Sequence, residues 1–190
     1  MSTQEKGNLV RLLDLDEDFI IDLKYATEDN FTGHQIYASA ECYIDAHTAQ
    51  LLIKARDLFR KDGYRVKVFD AYRPISAQAR FWEVMPDDRY VATPPDMETL
   101  TEFRPTHMNG QCVDVTLTDL EGREIVMPTA FDELTERAAL GYPGHCGEGK
   151  KNGEYLKRIM EEAGFEAYEG EWWHFYDMQA EEVPYLDYRI

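Results

Sequence analysis

Cys112-Val113-Asp114-Val115-Thr116-Leu117 alternates strictly, with Val113, Val115 and Leu117 on one face and Cys112, Asp114 and Thr116 on the other. That is the period of a β-strand whose apolar face packs inward. Before it, Tyr64, Val66 and Val68 alternate with Arg65, Lys67 and Phe69 in a second strand. This strand ends at Asp70-Ala71-Tyr72-Arg73-Pro74, because proline disfavours helical geometry at the residue preceding it. Leu51, Leu52, Ala55, Leu58 and Phe59 recur at helical spacing, with Asp45 as N-cap and Gly63 just past the end. A short helix capped by Ser76 is predicted over Ala77–Met85, and a longer one around Tyr155, Leu156, Ile159, Met160 and Ala163, with Asn152 as cap and Gly164 as stop. Ile20–Leu23, Phe165–Tyr168 and Trp172–Tyr176 read as further short strands, and Asp119–Arg123 as a hairpin turn into Glu124–Met127. Thr27–Tyr37 and Pro86–Pro105 lack apolar periodicity. The second is long enough to form a lid or binding loop. The acidic tail beyond Met178 shows no pattern. Together these readings predict one α+β domain over residues 1–190, with a central antiparallel sheet and flanking helices.

Composition agrees with a single core and narrows the partners. In 190 residues, 44% apolar side chains suffice for one sizeable core. Lys plus Arg number 20 against 37 Asp plus Glu, a net charge of −17 that repels phosphate backbones and anionic lipid headgroups. Neither nucleic acid nor a membrane surface is an expected partner. No run is long and apolar enough to span a bilayer, and the start Met1-Ser2-Thr3-Gln4-Glu5-Lys6 lacks the pattern of a secretory leader, so a cytoplasmic protein is expected. Cys42, Cys112 and Cys146 form no Cys-x-x-Cys pair and are expected to stay reduced. The oligomeric state is open at this level.

Three places hold chemically useful groups: Arg73 at a strand end, Thr106-His107-Met108-Asn109-Gly110-Gln111-Cys112-Val113-Asp114, and Glu171-Trp172-Trp173-His174. Each is weak alone. Together, two imidazoles and a carboxylate from His107, His174 and Asp114 make a ligand set suited to one zinc ion per chain with a fourth position for water. His107 and Asp114 lie seven apart, which requires a turn between them, and Asn109-Gly110 supplies one. Glu171 precedes His174 by three residues, a spacing acceptable at a strand end, and reads as the carboxylate that relays a proton from water to a leaving amine. Arg73 reads as the donor that stabilises charge on the tetrahedral oxygen, with simple pairing to Asp70 at a turn as the lesser alternative. Trp172 and Trp173 divide between core and pocket wall, since a strand alternates its faces. Cys112 shares strand parity with Asp114 and is a further candidate ligand. Gly141-Tyr142-Pro143-Gly144-His145-Cys146-Gly147 reads as a flexible connection bordering the site, because no phosphate-loop lysine follows it.

The patterns Lys24-Tyr25-Ala26-Thr27 with Asp29-Asn30-Phe31-Thr32-Gly33, Asp70-Ala71-Tyr72-Arg73-Pro74, His107-x-x-Gly110-x-x-x-Asp114-Val115-Thr116-Leu117, Phe131-Asp132 and Met160 through Gly164-Phe165 to Glu171-Trp172-Trp173-His174 resemble the D-alanyl-D-alanine dipeptidases of the vancomycin-resistance type. The resemblance runs in one order from about Leu23 to Phe175. It implies the zinc D,D-peptidase (hedgehog-like) fold and hydrolysis of free D-Ala-D-Ala, with His107, Asp114 and His174 on zinc, Glu171 as base and Arg73 as transition-state stabiliser. It further implies that Asp132 meets the substrate ammonium and that Thr106 stands where a serine hydroxyl contacts the dipeptide. For Asp132, capping a helix that begins near Glu133 is the competing use. The chain departs from the family pattern at Thr106, at Met108-Asn109 and Cys112, and at Met127-Pro128-Thr129 ahead of Phe131-Asp132. The alternatives are a D,D-carboxypeptidase or amidase acting on cell-wall peptides, and a non-catalytic zinc-stabilised binding protein. Antibiotic resistance, cell-wall recycling and use of D-alanine as a nutrient all employ the same chemistry.

Overall fold

Asp45 starts the first long helix by the expected means: its side chain accepts from the backbone N–H groups of His47 and Thr48, satisfying two donors left over at the first turn. A computed structural model describes residues 6–190, and in chain order its elements are β1 (Leu9–Arg11), α1 (Leu12–Leu15), β2 (Ile20–Ile21), β3 (Tyr43–Asp45), α2 (Ala46–Lys61), β4 (Tyr64–Asp70), α3 (Ile75–Val84), β5 (Cys112–Asp119), α4 (Gly147–Ala163), β6 (Glu166–Ala167) and β7 (His174–Tyr176). β1 and β3 form a separate antiparallel pair, while the main sheet has the order β2-β4-β5-β7-β6. The main sheet is mixed rather than wholly antiparallel, because β2 runs parallel to β4 at one edge. Helices α2 and α4 pack against each other, burying Ala49, Leu52, Ala55 and Phe59 from one and Leu156, Ile159, Met160 and Ala163 from the other. No helix among the described residues is long and apolar enough to cross a membrane.

Strand β5 is central, and both of its faces are buried, not only the apolar one. Val113, Val115 and Leu117 enter the core, while Asp114 on the polar face lines a cavity. The hairpin predicted after it is reduced to a single bridge, Thr118 with Glu124, in which the Ile125 N–H donates to Leu117 O and the Asp119 N–H donates to Arg123 O.

Two helix starts differ from expectation. Ser76 does not cap α3; Pro74 occupies that position, and Asp187 of the C-terminal tail accepts from the Ser76 N–H instead. Helix α4 begins at Gly147, five residues before Asn152, whose amide group donates to Val126 O. Gly149 and Gly153 weaken the helical pattern in the sequence. They are there for close approach: a Cβ would stand 2.7 Å from Met127 O at the first and 2.7 Å from Pro128 Cγ at the second. The unusual Met127-Pro128-Thr129 stretch thus docks on α4, and Thr129 Oγ1 accepts from Trp172 Nε1 at 2.9 Å.

The turn between the predicted ligands is a 3-10 turn, His107–Asn109, opened by Thr106 and closed by Gly110 at φ +74°. A side chain at Gly110 would meet Asp45 N at 2.7 Å and Leu9 Cδ2 at 2.6 Å, and Gly110 O already accepts from the Asp45 N–H. Gly110→Ala combines left-handed strain with a backbone clash, about 2–4 kcal/mol together. Thermal unfolding should therefore shift down by roughly 5–15 °C. An unchanged melting curve would show that this turn is not held as described.

Candidate metal centre and active site

Register across three strands lays out the site. Asp70 on β4 faces Asp114 on β5 after a register shift that follows Val68, and Asp114 faces His174 on β7. The 3-10 turn supplies the last member, tied to the end of β4 because the Arg73 N–H donates to His107 O. His107 Nε2, His174 Nδ1 and Asp114 Oδ1 then form a triangle with edges of 3.2, 2.8 and 3.3 Å. All three residues are buried.

A tetrahedral zinc ion with ligands at about 2.0–2.1 Å sets its ligand atoms about 3.3 Å apart, close to this triangle. Lone pairs are also available. His107 Nδ1 lies 2.6 Å from Ala71 O, and because a carbonyl only accepts, Nδ1 carries the proton and Nε2 presents its lone pair to the cluster. Burial opposes charge on Asp114, yet the proximity of the two histidines, His107 first, outweighs it and holds the carboxyl well below the usual range. The donor set and its spacing therefore fit a zinc ion. Cys112 lies outside this cluster; it is buried on β5 opposite Tyr176.

The cluster opens into a cavity of about 180 Å³, also lined by Tyr25, Arg73, Thr106, Asp132, Glu171 and Trp173. Phe31 from loop 27–37 and Asp88 to Ala92 from loop 86–105 complete the wall, so both unpatterned stretches border the site. The segment 141–147 does not line it, contrary to expectation: His145 Nε2 instead contacts Ala139 O, and the chain there leads into α4. Trp173 faces the cavity while Trp172 is buried against Thr129, which is the expected division of faces.

Glu171 sits in a tight turn just ahead of β7, where the Glu171 N–H donates to Tyr168 O and the His174 N–H donates to Glu171 O. Burial lifts its carboxyl to about 7, with His174 pulling the other way and Asp114 adding to the rise. Asp132 begins no helix; the next turn, Glu136–Ala138, is capped by Thr135. Asp132 instead adopts φ +58°, a left-handed backbone rare outside glycine and asparagine-like residues. Its Oδ1 accepts from Tyr25 Oη at 2.9 Å, while its Oδ2 is buried without a partner among the described residues. Burial raises this carboxyl to about 7 against the pull of the Tyr25 bond. The Thr106 hydroxyl accepts from the Met108 N–H, which leaves its own proton available to a ligand.

Arg73 does pair with Asp70, through Nε at 3.0 Å and Nη2 at 2.7 Å to one carboxylate oxygen, while Tyr37 Oη and the Ala71 N–H hold the other oxygen. The pairing orients the guanidinium and leaves it in the site, with Nη2 3.9 Å from Asp114 Oδ2. The rings of Phe81 and Tyr25 lie 4.5 and 5.4 Å from its carbon. Sequence reasoning named Asp70 only as a competing partner and did not single out Tyr25 or Gln78. For Asp70 the signal was present, as a carboxylate three residues before an arginine at a strand end.

Sequence comparison with known proteins points the same way. A family model described as D-ala-D-ala dipeptidase matches residues 5–189. The chain is 35% identical over 178 residues to a D-alanyl-D-alanine dipeptidase of Escherichia coli (strain K12), covering 94% of this chain and 89% of that protein. It is 33% identical over 185 residues to one from Enterococcus faecium, covering 89% and 91%. Among solved structures, the vancomycin-resistance D,D-pentapeptidase VanY in complex with Zn(II) aligns with a TM-score of 0.43 and 17% identity over 74% of this chain and 76% of that one.

Proposed function

The chain belongs to the D-alanyl-D-alanine dipeptidase family, and from that premise we propose that it hydrolyses free D-Ala-D-Ala to two molecules of D-alanine in a zinc-dependent reaction. The observation that carries the reading is one small cavity in which a zinc-compatible triad, a near-neutral buried glutamate and an oriented arginine meet. His107, Asp114 and His174 hold the ion. When bound, zinc supplies Lewis acidity and water with a pKa near 7.

The residues of the chain do the rest. Asp132, with a buried and unpartnered oxygen, receives the substrate ammonium. Thr106 donates its hydroxyl to the dipeptide. Glu171 accepts a proton as water adds to the scissile carbonyl and delivers it to the nitrogen of the departing D-alanine. Arg73 has five N–H groups, of which three are engaged by Asp70 and Gln78, so one on each terminal nitrogen remains for the carbonyl oxygen as it gains charge.

A volume of about 180 Å³ lies below the roughly 300–1,000 Å³ of drug-sized ligand sites, which favours a dipeptide over a cell-wall pentapeptide. The test measures free alanine released from D-Ala-D-Ala, from L-Ala-L-Ala and from a pentapeptide ending in D-Ala-D-Ala, each with and without a chelator. Release from the D,D-dipeptide alone, abolished by the chelator and restored by zinc, is the expected result. Equal turnover of the pentapeptide would favour the carboxypeptidase reading, and no turnover of any substrate would favour a binding protein.

A further inference from the structure

Gln78, in the first turn of α3, is buried, and both ends of its carboxamide are committed. Its Oε1 accepts from Arg73 Nη1 at 2.8 Å, and its Nε2 donates to Ala92 O at 2.6 Å. Ala92 belongs to the loop 86–105 that walls the cavity, next to Val91, which is buried in the core. A carboxamide is neutral and planar, accepts at one end and donates at the other, so it bridges a guanidinium and a carbonyl without adding charge. Asp70 fixes the Nε and Nη2 side of the guanidinium, leaving its rotation about that anchor to be set at Nη1.

We propose that Gln78 is a positioning residue that ties the active-site loop at Ala92 to the Arg73 guanidinium, so that the arginine is fully oriented only when this loop sits closed over the cavity. The inference rests on the dipeptidase reading for its activity readout, but not for its structural one. An arginine that acts on charge developing late in the reaction contributes to kcat more than to KM. Loss of its orientation should appear in the same place.

The test is Gln78→Met, similar in size and unable to make either bond, in the wild-type chain and in an Arg73→Ala background. Gln78→Met should lower kcat on D-Ala-D-Ala about 10-fold or more with KM within about 3-fold, yet change the rate less than 2-fold once Arg73 is alanine, because residues acting as a unit are non-additive. Amide hydrogen exchange around residues 88–95 should rise in Gln78→Met, and the Arg73 Nε–H resonance should shift, while exchange in α2 and α4 stays near wild type. Equal losses in both backgrounds, or unchanged loop exchange, would overturn the proposal. If the wild-type chain does not hydrolyse the dipeptide, the functional reading fails separately. The Gln78 link is then judged on loop exchange and the Arg73 resonance, and no change in either would overturn it.

Discussion

Glu171→Gln should lower kcat on D-Ala-D-Ala by about 10²–10⁴-fold while leaving one zinc ion bound per chain. Glutamine keeps the size of the side chain and its place ahead of β7 but has no site that takes up a proton near neutrality. In the metal-free chain burial brings the wild-type carboxyl to about 7. A group with that pKa holds and releases a proton near neutral pH, which suits it to act as base and then as acid. Glu171 is not part of the His107, Asp114 and His174 triangle, so metal content should not follow activity. Elemental analysis of the variant beside single-turnover kinetics separates the two properties. A variant with wild-type rates would remove Glu171 from the chemistry, and one that loses zinc would make it a ligand.

Asp132→Asn is expected to move stability and activity in opposite directions. In the wild type the carboxyl titrates near 7 in the folded, metal-free chain, against about 3.9 when unfolded. Its folded pKa is raised, so the stability it confers as a neutral acid is complete below about pH 4 and is lost as pH rises to about 7. Above that, the folded protein carries a buried charge that the unfolded chain would solvate. Asparagine removes the charge, keeps an acceptor for Tyr25 and is at ease at φ +58°. After allowance for an amide N–H₂ that lacks a partner, Asp132→Asn should stabilise the metal-free protein by about 1–3 kcal/mol at pH 8, with the gain vanishing by pH 4. Loss of the ammonium partner should cost about 10–100-fold in kcat/KM, as for a hydrogen bond to a charged group. Melting curves at the two pH values and steady-state kinetics check both halves. A variant less stable than wild type at pH 8 would mean that the buried carboxylate is paired in a way not seen here, and unchanged kcat/KM would remove Asp132 from substrate binding.

The two effects together describe a site built against local stability. Two carboxyls raised above their ordinary range lie in one cavity with an arginine held by Asp70. Such groups are stabilised by a bound cation and a bound ammonium more than by the protein itself. Melting temperatures should accordingly respond to zinc and to product more strongly than those of a chain whose cavity is apolar.

Periodic stretches were legible in the sequence because their pattern is local. β4, β5 and α2 follow from alternation, from helical spacing and from the Asp45 cap, and the residues of the candidate triad were identifiable from chemical type and spacing. What local pattern does not encode is contact between distant segments. The start of α4 lies upstream of Asn152 because Gly149 and Gly153 let Met127 and Pro128 approach the helix, which no propensity scale registers. The tail beyond Met178 has no period because it forms no element. It nevertheless lies along the site turn, where the Leu186 N–H donates to Met108 O, and along the start of α3, where the Ile75 N–H donates to Leu186 O and the Ser76 N–H donates to Asp187.

From residue order alone came the strand and helix periods, the net acidity and the set of groups able to hold a metal and move a proton, since these depend on side-chain chemistry and near neighbours. Only the tertiary structure decided that Asp70, Asp114 and His174 share one row of the sheet, that Asp132 lines the cavity with one oxygen buried and without a partner among the described residues, and that Gln78 joins Arg73 to a loop. Those relations arise from strand register and from loops folding over a buried polar face, and both are set by packing between segments rather than by any one of them.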